Sequence, residues 1–386
     1  MRWTAASVSM GLSVLYLLIP TLLLLLVAIL SVRAWRRPAA FRTVPWAGAA
    51  LLAFVALDGG LAAALPRLGK SFGPVAPTVV YLFFIRLGFY FLLLLAGLLA
   101  EVRRLRRPGL RRSAAGLLLF WLLHFVLLAG VVDAFYVEPF ALRLTERDIA
   151  APGLSGPLRI VHLSDLHVER TTSRERNALA LVQQLQPDLI LLSGDYLNLA
   201  YLDDPLARRD TRDFLAQLHA PYGVYAVAGT VDMPDTMHDL FDGLEIAVLD
   251  DAVVRLPVGG KDLYLVGVSN RGHARDEAAL RLLMGQVPAG AYTLLLYHTP
   301  DLAELAAETG VDLYLAGHTH GGQVRLPIYG AVITNSAYGK RYEGGLYSVG
   351  PMALYVSRGL GMEGYWFTPR ARFLCPPEVV LLELGP

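Results

Sequence analysis

Five short apolar runs in the second half of the chain each empty into an oxygen or imidazole donor, and no other feature limits the fold as much. Ile160 to Leu163 leads to Asp165 and His167, Leu189 to Leu192 to Gly194 and Asp195, and Val224 to Val227 to Gly-Thr-Val-Asp at 229–232. Leu294 to Tyr297 leads to His298, and Leu313 to Ala316 to Gly-His-Thr-His at 317–320. Runs of about four apolar residues followed at once by glycine and polar residues read as buried strands that end in loops. In open α/β sheets such loops form the crevice that holds ligands, so donors far apart in sequence can meet at one point. Between the first two runs, Leu179, Val182 and Leu185 fall at helical spacing within residues 173–186, before Pro187. A second helix is expected from Asp301 to Thr309, stopped by Gly310. Strands are expected at Ala252 to Pro257 and Asp262 to Val268, and at 331–334, 353–356 and 379–384. Phe140, Leu142 and Leu144 alternate with other residues like a further strand.

The first half is of another kind. With 386 residues, 55 % hydrophobic, and a mean hydropathy of +0.46, the chain is too apolar for an ordinary soluble enzyme. Gly11 to Val32 carries no charge, Pro45 to Leu65 only Asp58, Val79 to Ala100 only Arg86, and Ser113 to Val132 only His124. About 20 residues cross a hydrocarbon core about 30 Å thick. Four membrane helices are therefore expected, at about 11–32, 45–65, 79–100 and 113–132. Arg33, Arg36, Arg37 and Arg42 follow the first, and Arg103, Arg104, Arg106, Arg107, Arg111 and Arg112 follow the third; Arg67 and Lys70 alone lie in the loop between. The positive-inside rule then gives a multi-pass protein of the inner (plasma) membrane, with the second half periplasmic or extracellular. Asp58 and Arg86 sit at similar depths in adjacent helices and are expected to pair.

The expected boundary falls between a transmembrane region, 1–137, and a domain, 138–386. Residues 138–386 hold 20 Lys and Arg against 30 Asp and Glu, a net of −10. Such a domain is not built to hold nucleic acid on a basic surface. Cys375 is the only cysteine, so no internal disulfide forms.

Asp165, His167, Asp195, His298, His318 and His320 make a nitrogen and oxygen donor set that suits Mn, Fe or Zn rather than Ca. Any one of these histidines alone reads as structural; six donors in this order do not. His162 precedes the site on a strand and reads as packed in the sheet, and His124 and His219 also read as structural.

In RIVHLSDLH (159–167), LLSGD (191–195), YHTPD (297–301), GHTHGGQVRLP (317–327), YVSRGLG (355–361) and CPPEVVLLEL (375–384), the chain resembles the calcineurin-like metallophosphoesterases, especially their membrane-tethered bacterial branch. The resemblance spans about residues 155–384. It implies an α/β domain, a four-layer α/β/β/α sandwich, here preceded by the four-helix transmembrane region. It implies two divalent metal ions (Mn, Fe or Zn), one held by Asp165, His167, Asp195 and His320, the other by Asp195, His298 and His318. The implied reaction is hydrolysis of a phosphodiester, phosphomonoester or pyrophosphate bond in a phosphorylated substrate, a lipid-linked one being a candidate because of the tether.

One departure stands out. The family's Gly-Asn-His motif after the third strand reads Gly229-Thr230-Val231 here. By the resemblance Asn binds the second metal and His contacts the phosphate, so a looser second metal and a turnover lower by about 10² to 10⁴ are expected. Asp195, Thr230 and Asp232 are left as the catalytic set, with Asp232 bracing the loop, and His238 or His273 as candidate replacements for the missing His. The alternative is a metal-binding pseudoenzyme or phospholigand-binding membrane protein. The aromatics within 364–367 fit either core packing or a membrane interface.

Overall fold

The computed structural model describes residues 43–73, 75–106, 115–152, 154, 156–258, 261–364 and 369–386, with scattered positions between 22 and 29. Two compact units result, one whose main stretch ends at Val132, the other made of Asp133–Gly364 and Arg370–Pro386.

The first unit contains α1 (Thr43–Ala64), α2 (Val75–Arg106) and α3 (Ala115–Val132). Among the described residues, 3 stretches are long and apolar enough to cross a membrane: Pro45–Ala64, Pro77–Gly97 and Gly116–Phe140. They fall on three of the expected spans, while the one at 11–32 lies mostly outside the described residues. Asp58 and Arg86 do meet. Arg86 donates from Nη2 to Asp58 Oδ1 at 2.7 Å and from Nη1 to the His124 carbonyl at 3.3 Å, so one guanidinium ties three helices. The Phe54 ring lies 4.6 Å from the same guanidinium. Removing one member of a buried pair strands the other charge, at a cost of about 3–5 kcal/mol. Arg86→Leu alone should therefore lower the unfolding temperature in detergent, and adding Asp58→Leu should recover most of the loss.

The second unit begins with β1 (Arg143–Ala150), β2 (Leu158–Leu163), α4 (Ser173–Leu185), β3 (Leu189–Leu192), α5 (Pro205–Leu215), β4 (Val224–Ala226), α6 (Pro234–Phe241) and β5 (Ala247–Val248). It continues with β6 (Ala252–Val258), β7 (Lys261–Gly267), α7 (His273–Met284), β8 (Tyr292–Leu296), α8 (Ala303–Thr309), β9 (Leu313–Ala316), β10 (Arg325–Leu326), β11 (Gly330–Ala331), β12 (Gly345–Val349), β13 (Met352–Val356) and β14 (Glu378–Gly385). One mixed sheet runs β1-β14-β2-β3-β4-β5, the other β12-β13-β9-β8-β7-β6, and β10 and β11 form a separate ribbon. Within them β2, β3, β4 and β5 are parallel, as are β7, β8, β9 and β13, while β14 is antiparallel to β2.

Alternation explains the apolar runs. Val161 and Leu163 join a cluster with Leu179, Val182, Phe214 and Leu240 of the helices, whereas Leu158 and Ile160 join one shared with Leu265, Leu294 and Leu315 of the other sheet. A strand covered on both faces has no solvent side, so apolar residues fill both faces, and in β2 only Arg159 and His162 interrupt the run. α4 starts at a capping box, with Arg174 N donating to Thr172 Oγ1 (3.2 Å) and Thr172 N to Glu175 Oε2 (2.7 Å). It stops at Gln186, whose φ is 45°.

Three expectations change. The strand expected at 331–334 shrinks to Gly330–Ala331, because Val332 and Ile333 turn to solvent. The alternation from Phe140 becomes a strand only at Arg143, after a 3₁₀ turn at Glu138–Phe140. The helix from Asp301 opens as another such turn, Pro300–Leu302, and is α-helical from Ala303.

Candidate metal centre

Parallel strands deliver the donors from their C-terminal ends. Asp165 and His167 follow β2, Asp195 follows β3, Thr230 to Asp232 follow β4, His298 follows β8, and His318 and His320 follow β9. The turns are abrupt, and Asp165, His167, Asp195, His318 and His320 all take left-handed backbone, with φ of 50°, 38°, 58°, 67° and 50°. Each such residue costs about 1 kcal/mol or more, so the surroundings must impose it. Asp165 N donates to Gly194 O and His167 N to Asp195 O, both at 3.0 Å, fastening the β2 and β3 loops together. Glycine is needed where these loops close. A Cβ on Gly229 would run into the Asp195 carboxylate, and one on Gly317 into Ser164 Oγ and Asp165 Oδ2.

The donors gather in two clusters, Asp165 with His167 and His320, and Asp195 with His298 and His318, each with ligand atoms within 4.8 Å of one another. Asp195 Oδ2 links them, 3.5 Å from His167 Nε2 and 3.2 Å from His298 Nε2. In each cluster two imidazole nitrogens face each other, His167 Nε2 and His320 Nε2 at 3.1 Å, His318 Nδ1 and His298 Nε2 at 3.2 Å. Lone pairs opposed this closely need a proton or a cation between them, and the borderline-soft donor set suits a transition metal or zinc. The residues therefore fit two divalent cations.

Outer contacts aim the rings. His298 Nδ1 lies 2.8 Å from the Ser193 carbonyl and His318 Nε2 lies 3.1 Å from that of Asn335, which turns the other nitrogen of each ring into the cluster. Burial opposes charge on His298, yet Asp195 and Asp165 push it up to about 9. Burial opposes charge on His167 too, but Glu363, Asp195 and Asp165 raise it to about 9. Burial, with neighbouring His298 for one and His167 for the other, lowers His318 and His320.

Asp232 accepts from Asp195 N at 2.6 Å, Gly229 N at 2.8 Å and Tyr196 N at 3.1 Å, so it holds the β3 and β4 loops rather than reaching into the site. Burial and the Asp195 charge lift it to about 6. Thr230 Oγ1 donates to Asp195 Oδ2 at 3.0 Å and lies 3.5 Å from His298 Nε2. Val231 offers only its N–H, to Asp195 Oδ1 at 3.0 Å. Neither candidate replacement for the missing imidazole joins the clusters. His238 is exposed within α6, and His273 opens α7 and pairs with Glu277 at 3.1 Å, because both segments fold as helices rather than loops. His162 is buried with Nε2 2.8 Å from Ser193 Oγ, a structural role.

Two residues escape any reading of the motifs. Glu363 Oε2 lies 2.9 Å from His167 Nδ1, an ionic contact without hydrogen-bond alignment. Gln323 grips the Glu363 backbone from both sides, accepting from its N at 2.6 Å and donating to its O at 2.8 Å. Carboxylates behind ligand imidazoles typically carry about 10- to 100-fold in metal affinity. Glu363→Gln should weaken metal binding by that factor, as measured by competition with a chelator. Arg372 is fully buried and donates to the carbonyls of Arg358, Gly359, Gly361 and Cys375 at 2.6–3.1 Å. It fixes the loop whose Gly361 N donates to Asp165 O at 2.7 Å. The one cue to either residue is its place between YVSRGLG (355–361) and CPPEVVLLEL (375–384).

Residues 158–322 match the family model described as calcineurin-like phosphoesterase. The chain is 30 % identical to the uncharacterized metallophosphoesterase YkuE of Bacillus subtilis, over 66 % of this chain and 90 % of that protein. It is 32 % identical to phosphodiesterase YaeI of Escherichia coli, over 64 % of this chain and 90 % of the relative. Identity is 25 % to UDP-2,3-diacylglucosamine pyrophosphatase LpxG of Chlamydia muridarum, over 64 % and 91 %. With 30 % identity to a metallophosphoesterase that it covers over 90 % of its length, and the family model matching residues 158–322, the chain belongs to the calcineurin-like phosphoesterase family.

Proposed function

We propose that this protein is a membrane-anchored, metal-dependent phosphoesterase that hydrolyses a phosphodiester, phosphomonoester or pyrophosphate bond, with a lipid-linked molecule as substrate. Its architecture in this reading is a four-helix transmembrane region, 1–137, carrying a four-layer α/β/β/α domain, 138–386, on the periplasmic or extracellular side. The observation that carries the reading is Asp195, whose carboxylate lies between the two donor clusters. Asp165, His167, Asp195 and His320 would hold one cation, and Asp195, His298 and His318 the other. Bound cations supply Lewis acidity and neutralise the charge of a phosphoryl group.

The chain's own residues do the rest. Asp232 keeps Asp195 in place, Thr230 adds a hydroxyl beside Asp195 and His298, and Val231 adds a backbone N–H to Asp195. No imidazole beyond the proposed ligands stands at the site among the described residues, so the leaving oxygen draws its proton from solvent and acidic leaving groups are favoured. The name of the chlamydial relative, a UDP-2,3-diacylglucosamine pyrophosphatase, makes an acylated pyrophosphate the first class to try.

The test is Mn-dependent hydrolysis by the purified full-length protein, offered an aryl phosphodiester and an acylated nucleotide pyrophosphate, with Asp195→Asn as control. Turnover of both that is lost in the control, with about two metals bound per chain, is the expected result. Cleavage of soluble nucleotides alone would sink the lipid-linked substrate. Val231 favours a second reading, a phospholigand-binding pseudoenzyme, and metal binding without turnover of any substrate would select it.

A further inference from the structure

Six large apolar side chains, Val324, Leu326, Ile328, Tyr329, Val332 and Ile333, stand exposed on the ribbon of β10 and β11 and its flanks. Ile328 is 110 % exposed and Ile333 65 %, more than the domain's strands allow elsewhere. Single exposed hydrophobics need no explanation, but a contiguous set is a contact surface. The ribbon is held from one side. Arg325 N donates to Phe373 O at 2.9 Å, Arg325 Nη1 to Gly321 O at 2.7 Å, and Glu343 accepts from Arg325 Nη2 (2.7 Å) and Ala331 N (3.2 Å). The apolar tip, around the Pro327 to Gly330 turn, faces solvent.

Charge separates this segment from the rest of its domain. Residues 313–342 contain Arg325, Lys340 and Arg341 and no acid, although residues 138–386 as a whole hold 20 basic against 30 acidic side chains. All three are already paired, Arg325 and Lys340 with Glu343 (2.7 and 3.8 Å) and Arg341 with Glu304 (2.6 Å). Lys340 Nζ also sits 3.5 Å over the ring of Tyr329, so a cation and an aromatic meet at the apolar tip. A short apolar wedge with an aromatic and lysine at its rim matches the profile of a bilayer surface, hydrocarbon within and phosphate without.

We propose that the hairpin 324–333 inserts into the surface of a phospholipid bilayer. The inference rests on the membrane-tethered reading above, and not on the identity of the substrate. The tether is what selects a bilayer over a soluble partner. The candidate span Gly116–Phe140 runs into the start of the second unit at Asp133, so in this reading the domain is held near lipid at high effective concentration. The hairpin is also continuous with the metal centre. It starts four residues after His320, and Asn335 at its far end accepts from His318. Insertion would therefore bring the donor loop to the level of lipid phosphates.

The full-length protein, reconstituted in nanodiscs of phosphatidylethanolamine with phosphatidylglycerol as the minor lipid, provides the test. A polarity-sensitive fluorophore is placed at Ile328→Cys and, as a control, at Leu282→Cys on α7, which is 71 % exposed; Cys375 is buried. At 328 we expect a blue-shifted emission, quenching by lipids brominated in the acyl chain, and iodide access several-fold lower than at 282. Iodide quenching at 328 equal to that at 282 would overturn the proposal. So would protection from both quenchers, which would mark a protein contact instead. The readout needs no turnover, so failure to cleave any lipid-linked substrate would count against the proposed function alone.

Discussion

Rebuilding the loop after β4 as Gly-Asn-His, through Thr230→Asn and Val231→His, should raise kcat for an alkyl phosphodiester by about 10² to 10⁴. Val231 now gives the site one backbone N–H, and its isopropyl group can neither donate nor accept a proton. An imidazole there would protonate the departing oxygen. An alkoxide needs that proton and a nitrophenolate does not, so the gain should shrink steeply for a nitrophenyl ester. Asn at 230 would place an amide oxygen where a hydroxyl now donates to Asp195 at 3.0 Å, and occupancy of the second cluster should rise with it. Equal gains for alkyl and nitrophenyl substrates would contradict this account, since proton donation would then not be what the loop lacks.

Metal uptake should depend steeply on pH. His167 and His298 are both raised to about 9, so in the metal-free protein each carries a proton at neutral pH. A nitrogen must shed that proton before it can ligate. Affinity should therefore increase as pH rises and level off above about 9. Each histidine contributes about tenfold per pH unit below that point, or about 10⁴ for the pair between pH 9 and pH 7. Asp195 adds no slope there. Burial works against its charge, but His298, His167 and the Val231 N–H hold its carboxyl well below the usual range, and it stays ionised. Calorimetric Mn titrations in buffers of different ionisation enthalpy should show about two protons released per chain at pH 7. Affinity that stays flat from pH 7 to pH 9, with no proton release, would refute the assignment of charge.

Much of the site could be read in the sequence because burial on both faces leaves a plain mark. In β3, Leu189 and Leu191 enter the cluster shared by the two sheets while Ile190 and Leu192 pack toward the helices, so the run is apolar throughout and Asp195 follows it closely. The same holds for Leu294 to Leu296 of β8 and Leu313 to Ala316 of β9, and for β2 apart from Arg159 and His162. The helices α5, α6 and α7 left little trace. α5 carries Arg208, Arg209, Asp210, Arg212 and Asp213, and buries only Ala207, Thr211, Phe214 and Leu215. Val332 and Ile333 misled in the opposite direction, being β-branched and apolar yet turned to solvent. Glu363 and Arg372 act through loops whose course is set by tertiary contacts, and no local pattern announces them.

The order of strands in the first sheet has a consequence for biogenesis. β14 lies between β1 and β2, parallel to one and antiparallel to the other. A nascent chain that has exposed both early strands cannot join them, because neither is the other's partner. Their edges stay open until the ribosome has passed residue 385, with every intervening segment already made. Pairings this distant in sequence fold slowly and expose unpaired edges meanwhile. Holdase chaperones are the expected companions of such a chain, and translation arrested before Glu378 should leave fragments that proteases clear.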